Sequence, residues 1–307
     1  MTDLLIPFEH PSWFKPLFRT LDARGVDYRA VDITGHQFDP ADLRPPAKVV
    51  LNRVSMSSFL RANEHPIFYV TALLDHMQRA GATVLNGGDA LAIDSSKARQ
   101  LSLICGLGLD IPNTRIVHRA ADVLGAAEGM AYPLLVKANI GGSGAGITRF
   151  DSRDELAAAV ADGSLPTSID GVLMVQDYVP PRGGTILRLE TLEGRFVYAL
   201  EVESGGTQFD LCPADACIAQ PGRRAIAMRA VEPPPELIAI AEQVSQAARM
   251  FVGGIELAID DRDGVPRIYD INALSNFVAD PVTVLGYDPH ERLVDALERQ
   301  IAASGKA

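Results

Sequence analysis

Over residues 1–94, short apolar runs alternate with stretches of helical spacing. Residues 4–8, 28–33, 48–52 and 83–86 read as strands, and residues 16–24 and 67–80 as helices closed by Gly25 and Gly81. That alternation predicts a small parallel α/β module. Asp94-Ser95-Ser96-Lys97 then opens a helix with a capping residue ahead of its apolar positions; Lys97 lies in the first turn and the helix stops at Gly106-Leu107-Gly108. Beyond it the pattern predicts a strand at 115–117, a helix near 120–128 and a strand at 133–138. A glycine run from Gly141 to Gly146, a strand at 147–150 and a helix from Asp151 to Gly163 follow. From Gly171 strands dominate, at 172–179, 186–192 and 195–202, the last two joined by a Glu193-Gly194 turn. Residues 235–251 have amphipathic helical spacing, a hairpin follows, and 289–302 form a terminal helix.

The hairpin carries the first chemistry. Its strands are residues 253–260 and 266–272, with Asp261-Arg262-Asp263-Gly264 as the turn. A turn centred near Asp263 sets Glu256 opposite Asp270, and alternation puts Asp270 and Asn272 on one face, Tyr269 and Ile271 on the other. Like charges directly opposite, among Ile255, Leu257, Ile268 and Ile271, destabilise a strand pair. A hard divalent cation between them, with the Asn272 amide oxygen as a further ligand, removes that cost. An exposed hairpin face with scattered acids is the alternative.

A second constellation suits an anion. Lys137 leaves an apolar strand four residues before Gly141-Gly142-Ser143-Gly144-Ala145-Gly146. Successive glycines can turn backbone N–H groups into a phosphate nest, with the ammonium beside it. No Gly-Lys-Ser/Thr closes the run and a strand follows rather than a helix, so neither a Walker A loop nor a Rossmann turn fits. The run reads as a flap over a triphosphate or, taken alone, as a flexible hairpin turn. Lys97 opposes the helix dipole, a place where an anionic ligand would explain a cation. The strand end Gln176-Asp177-Tyr178-Val179 before Pro180 could present backbone groups to an adenine edge. Arg53, and Arg223 with Arg224, could hold a substrate carboxylate, or lie in exposed loops. His10 and Trp13 follow the first strand, where Trp13 reads as a packing residue.

Size and charge narrow the classes. The 307 residues suffice for two or three modules, and 47% hydrophobic with 22% charged residues is an ordinary globular balance. A net charge of −11 argues against a basic nucleic-acid surface. Cys105, Cys212 and Cys217 give an odd count with no second pair to complete a zinc site, so a reducing compartment is expected. The first residues lack a basic signal region, and no apolar run approaches the roughly 18–20 residues of a membrane span. A soluble, cytoplasmic protein without membrane or nucleic-acid partners is the expectation.

Taken in order, Lys97, Lys137 with its glycine run, Gln176 to Val179, Arg188, Glu256 and Asp270-Ile271-Asn272 resemble the ATP-grasp superfamily. Within it the chain is most similar to the ribosomal-protein glutamate ligase branch, near glutathione synthetase and D-alanine–D-alanine ligase. The resemblance implies an N-terminal α/β pre-ATP-grasp domain at residues 1–94. A central subdomain with the glycine-rich flap would occupy 95–175, and a C-terminal subdomain with the metal site 176–307. It implies ATP and two magnesium ions, with manganese as a substitute. Lys97 and Lys137 would contact phosphates, and Gly141, Gly142, Ser143 and Gly144 would close over them. Gln176, Asp177, Tyr178, Val179 and Leu257 would meet the nucleotide, and Glu256, Asp270 and Asn272 would hold the metal. Arg188, with Lys137, would act in catalysis.

The implied activity is an ATP-dependent carboxylate–amine ligase acting through an acyl phosphate on small-molecule or peptide substrates, and a homo-oligomer would suit the branch. A kinase acting on a hydroxyl and a non-catalytic nucleotide-binding partner are the competing readings. The chain departs from the family pattern in three places. Glu256 and Asp270 exchange the usual Asp and Glu of the metal strands. Ile186 replaces the acid that often lies two residues before the arginine. Ala273-Leu274-Ser275-Asn276 replaces the Pro-Gly that usually follows the metal asparagine.

Overall fold

A computed structural model describes residues 2–10, 12–61, 66–142, 144–204 and 227–305. Ser143, Cys212, Cys217, Arg223 and Arg224 lie outside the described residues. The N-terminal sheet contains β1 (Thr2–Phe8), β2 (Tyr28–Asp32), β3 (Ala47–Leu51) and β4 (Thr83–Leu85), all parallel in the order β2-β1-β3-β4. Alternation along β1 and β3 buries both faces. Leu4, Ile6, Val49 and Leu51 pack with Leu17 and Leu21 of α1 (Lys15–Arg24), while Leu5 and Val50 pack with Val70, Leu73 and Leu74 of α2 (Pro66–Arg79). A short helix, α3 (Gly88–Asp94), was not expected from the sequence pattern. Asp94 is the last residue of that helix. Ser96 caps α4 (Lys97–Gly106), its Oγ accepting from the Arg99 N–H at 3.3 Å.

The central sheet is antiparallel, with β5 (Thr114–Val117), β6 (Leu134–Gly142), β7 (Ala145–Phe150) and β8 (Leu173–Asp177) in the order β5-β8-β6-β7. Helices α5 (Val123–Ala126) and α6 (Arg153–Asp162) cover one face. The expected helix at 120–128 is split into a 3-10 turn at Ala120–Asp122 and α5.

The C-terminal sheet is antiparallel in the order β11-β10-β9-β12-β13: β9 (Thr185–Leu192), β10 (Arg195–Glu203), β11 (Met228–Val231), β12 (Val252–Ile259) and β13 (Pro266–Asn272). One face buries Leu189, Ile255 and Leu257 against Leu101 and Ile104 of α4 and Leu237, Ala241 and Val244 of α7 (Pro235–Ala247). After α8 (Pro281–Leu285) the chain ends in α9 (Pro289–Ser304). Leu293, Val294 and Leu297 of α9 join the cluster of Leu17, Leu21 and Val49, so the terminal helix closes on the N-terminal sheet. Among the described residues no helix is long and apolar enough to cross a membrane.

Asn86 staples the N-terminal sheet to the C-terminal one. It follows β4 in the left-handed region at φ 47°, which asparagine tolerates, and is 3% exposed. Its Nδ2 donates to the Val252 carbonyl at 2.8 Å and to the Ala273 carbonyl, and its Oδ1 accepts the Phe251 N–H at 2.7 Å. Asn86→Ala leaves buried backbone groups unpaired on both sides of the metal strands. A loss of about 3 kcal/mol in urea unfolding is expected, and a loss below about 1 kcal/mol would remove the staple from this account.

Candidate active site

The three sheets converge on one cleft with about 1540 Å³ of empty space, its open mouth included. On its floor the β12–β13 register pairs Glu256 with Asp270 and Gly254 with Asn272, the arrangement expected from the turn. The register slips by one between Glu256 and Leu257, leaving Tyr269 as the extra residue of a β-bulge. Strict alternation was expected to point Tyr269 away. The bulge re-aims it, so that it lines the cleft and its ring lies 5.6 Å from Lys137 Nζ.

Four cationic or acidic side chains crowd this floor. Lys97 Nζ is ion-paired with Asp270 Oδ1. Lys137, 8% exposed on β6, is held down to about 8 by burial and by repulsion from Lys97, against the attraction of Asp270 and Glu256. Burial also raises the Glu256 carboxyl above the ordinary range, with Arg188 opposing and Asp270 reinforcing the shift. Asn272 Nδ2 faces Glu256 Oε1 at 3.4 Å, and a half-turn of the amide presents Oδ1 instead. Among the described residues no three His, Cys, Asp or Glu side chains gather as a metal cage. Two carboxylates and an amide oxygen still fit magnesium, which takes one or two protein carboxylates and completes its shell from phosphate and water.

Arg188 lies on β9 directly beside Glu256 in the sheet register and is 6% exposed. Its NH1 donates to Glu256 Oε1 at 2.7 Å, its Nε to Glu190 Oε1 at 2.6 Å, and its NH2 to Ser275 Oγ at 3.3 Å. The acid that supports this arginine thus stands two residues after it, where the family pattern places one two residues before. Glu190 shares the Arg188 face by strand alternation, a signal the sequence reading passed over. Asp94 is a second acid missed as a site residue. It lines the cleft, its Oδ1 accepts the Ala273 N–H at 2.8 Å, and burial pushes its carboxyl up to about 7.

The flap is the β6–β7 turn, with Gly141, Gly142 and Gly144 lining the cleft. A Cβ on Gly142 would stand 2.5 Å from the Ser57 Cβ of the N-terminal module, so close approach requires glycine there. Gln176, Asp177, Tyr178 and Val179 border the cleft at the end of β8. Gln176 Nε2 donates to Thr114 Oγ1 at 2.9 Å, and the N–H groups of Asp177 and Tyr178 donate to the Asn113 and Pro133 carbonyls. The Asp177 and Tyr178 N–H groups are thereby committed to other strands and loops. Leu257 corrects the reading of the site: it is fully buried in the cluster with Ile255 and Ala241, on the sheet face away from the cleft. Alternation from Glu256 dictates that orientation. Arg53 does not face the cleft either; it is 2% exposed beneath it. Trp13 lines the cleft, stacked on His10 at 4.1 Å between ring centroids and under Arg61 at 4.8 Å.

A probable α-L-glutamate ligase of Klebsiella pneumoniae (strain 342) is 27% identical over 235 residues, which is 76% of this chain and 73% of that protein. The ATP-grasp ligase PsnB with its minimal precursor has a TM-score of 0.70 at 17% identity, covering 98% of this chain and 100% of that one. PsnB has also been solved with Mg and ADP. D-cycloserine synthetase DcsG has a TM-score of 0.71 at 16% identity, over 97% of this chain and 99% of that one. No family model matches the chain. At these identities the solved structures establish the fold.

Proposed function

The chain belongs to the ATP-grasp superfamily, among the carboxylate–amine ligases related to the ribosomal-protein glutamate ligases, and from that premise we propose how its residues divide the work. ATP-grasp ligases use ATP and magnesium. Here Glu256, Asp270 and Asn272 would hold two magnesium ions, which supply charge neutralisation at the phosphate oxygens when bound. The supporting observation is the pairing of Glu256 with Asp270 on the floor of a cleft where Lys97, Lys137 and Arg188 also meet.

In the first half-reaction a substrate carboxylate oxygen forms a bond to the γ-phosphorus, and the bond from that phosphorus to the oxygen of ADP breaks. Lys137 and the flap hold the phosphates in line, and Lys97, released from Asp270, adds its charge to them. In the second half-reaction an amine adds to the acyl carbon, the amine loses a proton, and phosphate leaves. Arg188 donates to the oxyanion that develops, positioned by Glu190 and Glu256. The products are an amide or peptide bond, ADP and phosphate.

Glutamate, which the name of the curated relative carries, heads the substrates to screen. With pooled candidate acids, ADP release is expected to depend on an added amine, and mass analysis should find the amide. A stable phosphoester formed without any amine would assign the site to hydroxyl phosphorylation instead.

A further inference from the structure

Arg53 is a buried cation that Glu190 and Asp94 attract from beyond ion-pair distance. It leaves β3 with its N–H bonded to the Pro7 carbonyl at 2.9 Å, and its guanidinium lies 5.2 Å from the Phe14 ring centroid. NH2 donates to the Ser275 carbonyl and, at 3.1 Å, to Asn276 Oδ1. Nε and NH1 are buried with no hydrogen-bond partner, and among the described residues no carboxylate lies within ion-pair distance of the group. Burial holds the guanidinium below its ordinary range, with Glu190 and Asp94 opposing the shift.

Asn276 transmits the charge to the cleft, whose wall it forms beside Trp13, Ser55 and Leu274. Because Arg53 occupies Oδ1, the group that Asn276 has left to offer is its Nδ2 donor pair. No described residue accepts from it. The preceding residue, Ser275, meets Arg188, which in turn meets Glu256, so Asn276 is one residue away from the hydrogen-bonded groups of the floor.

We propose that Asn276, oriented by Arg53, is a specificity-determining residue that binds the non-reacting carboxylate of a substrate. The inference rests on the ligase reading and adds the group that the substrate must carry. Asn276→Asp keeps the shape, turns donors into an anion, and faces the substrate carboxylate with like charge. The assay is ADP release with each of the twenty common L-amino acids as amine, then with the carboxamide of the best of them, and with pooled mono- and dicarboxylic acids as the other substrate.

For wild type, the carboxamide is expected to raise KM by about 10- to 100-fold over the carboxylate, the range for one charge-assisted hydrogen bond. Asn276→Asp should raise the KM for the carboxylate by a similar factor and erase its advantage over the carboxamide, with kcat and the KM for ATP within about twofold of wild type. If the sensitivity falls on the dicarboxylic acids instead of the amine, the acid substrate carries the recognised carboxylate and the assignment of Asn276 holds. Arg53→Lys, which keeps the charge but cannot hold both acceptors, should give part of the same KM increase. Unchanged preference between carboxylate and carboxamide in both variants, with either substrate, overturns the inference while leaving the ligase reading intact. Absence of any amine-dependent ADP release from wild type overturns both.

Discussion

Asp270→Asn is expected to lower amine-dependent ADP release by at least about 100-fold, because the change removes a metal carboxylate while keeping its shape. Asp270 is ion-paired with Lys97, so the substitution also removes the counter-charge of that ammonium on a partly buried floor. Magnesium must enter a site that carries one negative charge fewer beside that cation. The effect should appear apart from turnover: ADP should raise the thermal midpoint of the variant equally with and without magnesium, whereas wild type should need the metal for the full increase. The native fold should survive, since an amide can accept from Lys97 in place of the carboxylate. Turnover within about threefold of wild type would remove Asp270 from the metal site.

Arg188→Lys is the second large effect, an expected fall in kcat of about 100- to 1000-fold. The guanidinium spans Glu190, Glu256 and Ser275 with three different nitrogens. Lysine has one nitrogen and cannot reproduce that fork, so the charge stays while the donor aimed at the reacting centre is lost. Nucleotide affinity should change little, because the proposed phosphate contacts are Lys97 and Lys137. A merely structural arginine would instead lower the unfolding midpoint and leave kcat per folded molecule near wild type. Measuring kcat, ADP affinity and the unfolding midpoint on one preparation separates the two outcomes.

How much of this was legible in the sequence depends on the range of the interaction. The pairing of Glu256 with Asp270 follows from a turn and a period of two, both local, and the observed register agrees. The glycine run between antiparallel strands was legible for the same reason. Tyr269 was not, because a bulge shifts the alternation and no residue type announces it. Leu257 was placed with the nucleotide although alternation from Glu256 points it into the core, so there the available signal was ignored. The edge strand β11 and the short helices α3 and α8 carry too few periodic residues to register in a pattern. Arg53, Asn86 and α9 act across sheets from distant parts of the chain. Alternation cannot report that Arg53 reaches Ser275, or that the last helix packs on the first sheet.

The most direct measurement follows one oxygen atom. With the acid substrate labelled with ¹⁸O in its carboxylate, amide formation through an acyl phosphate transfers one labelled oxygen to the phosphate released for each amide made. That transfer, dependent on the amine and lost in Asp270→Asn, is the predicted result. Amide or ADP formed with no label in the phosphate would contradict the account.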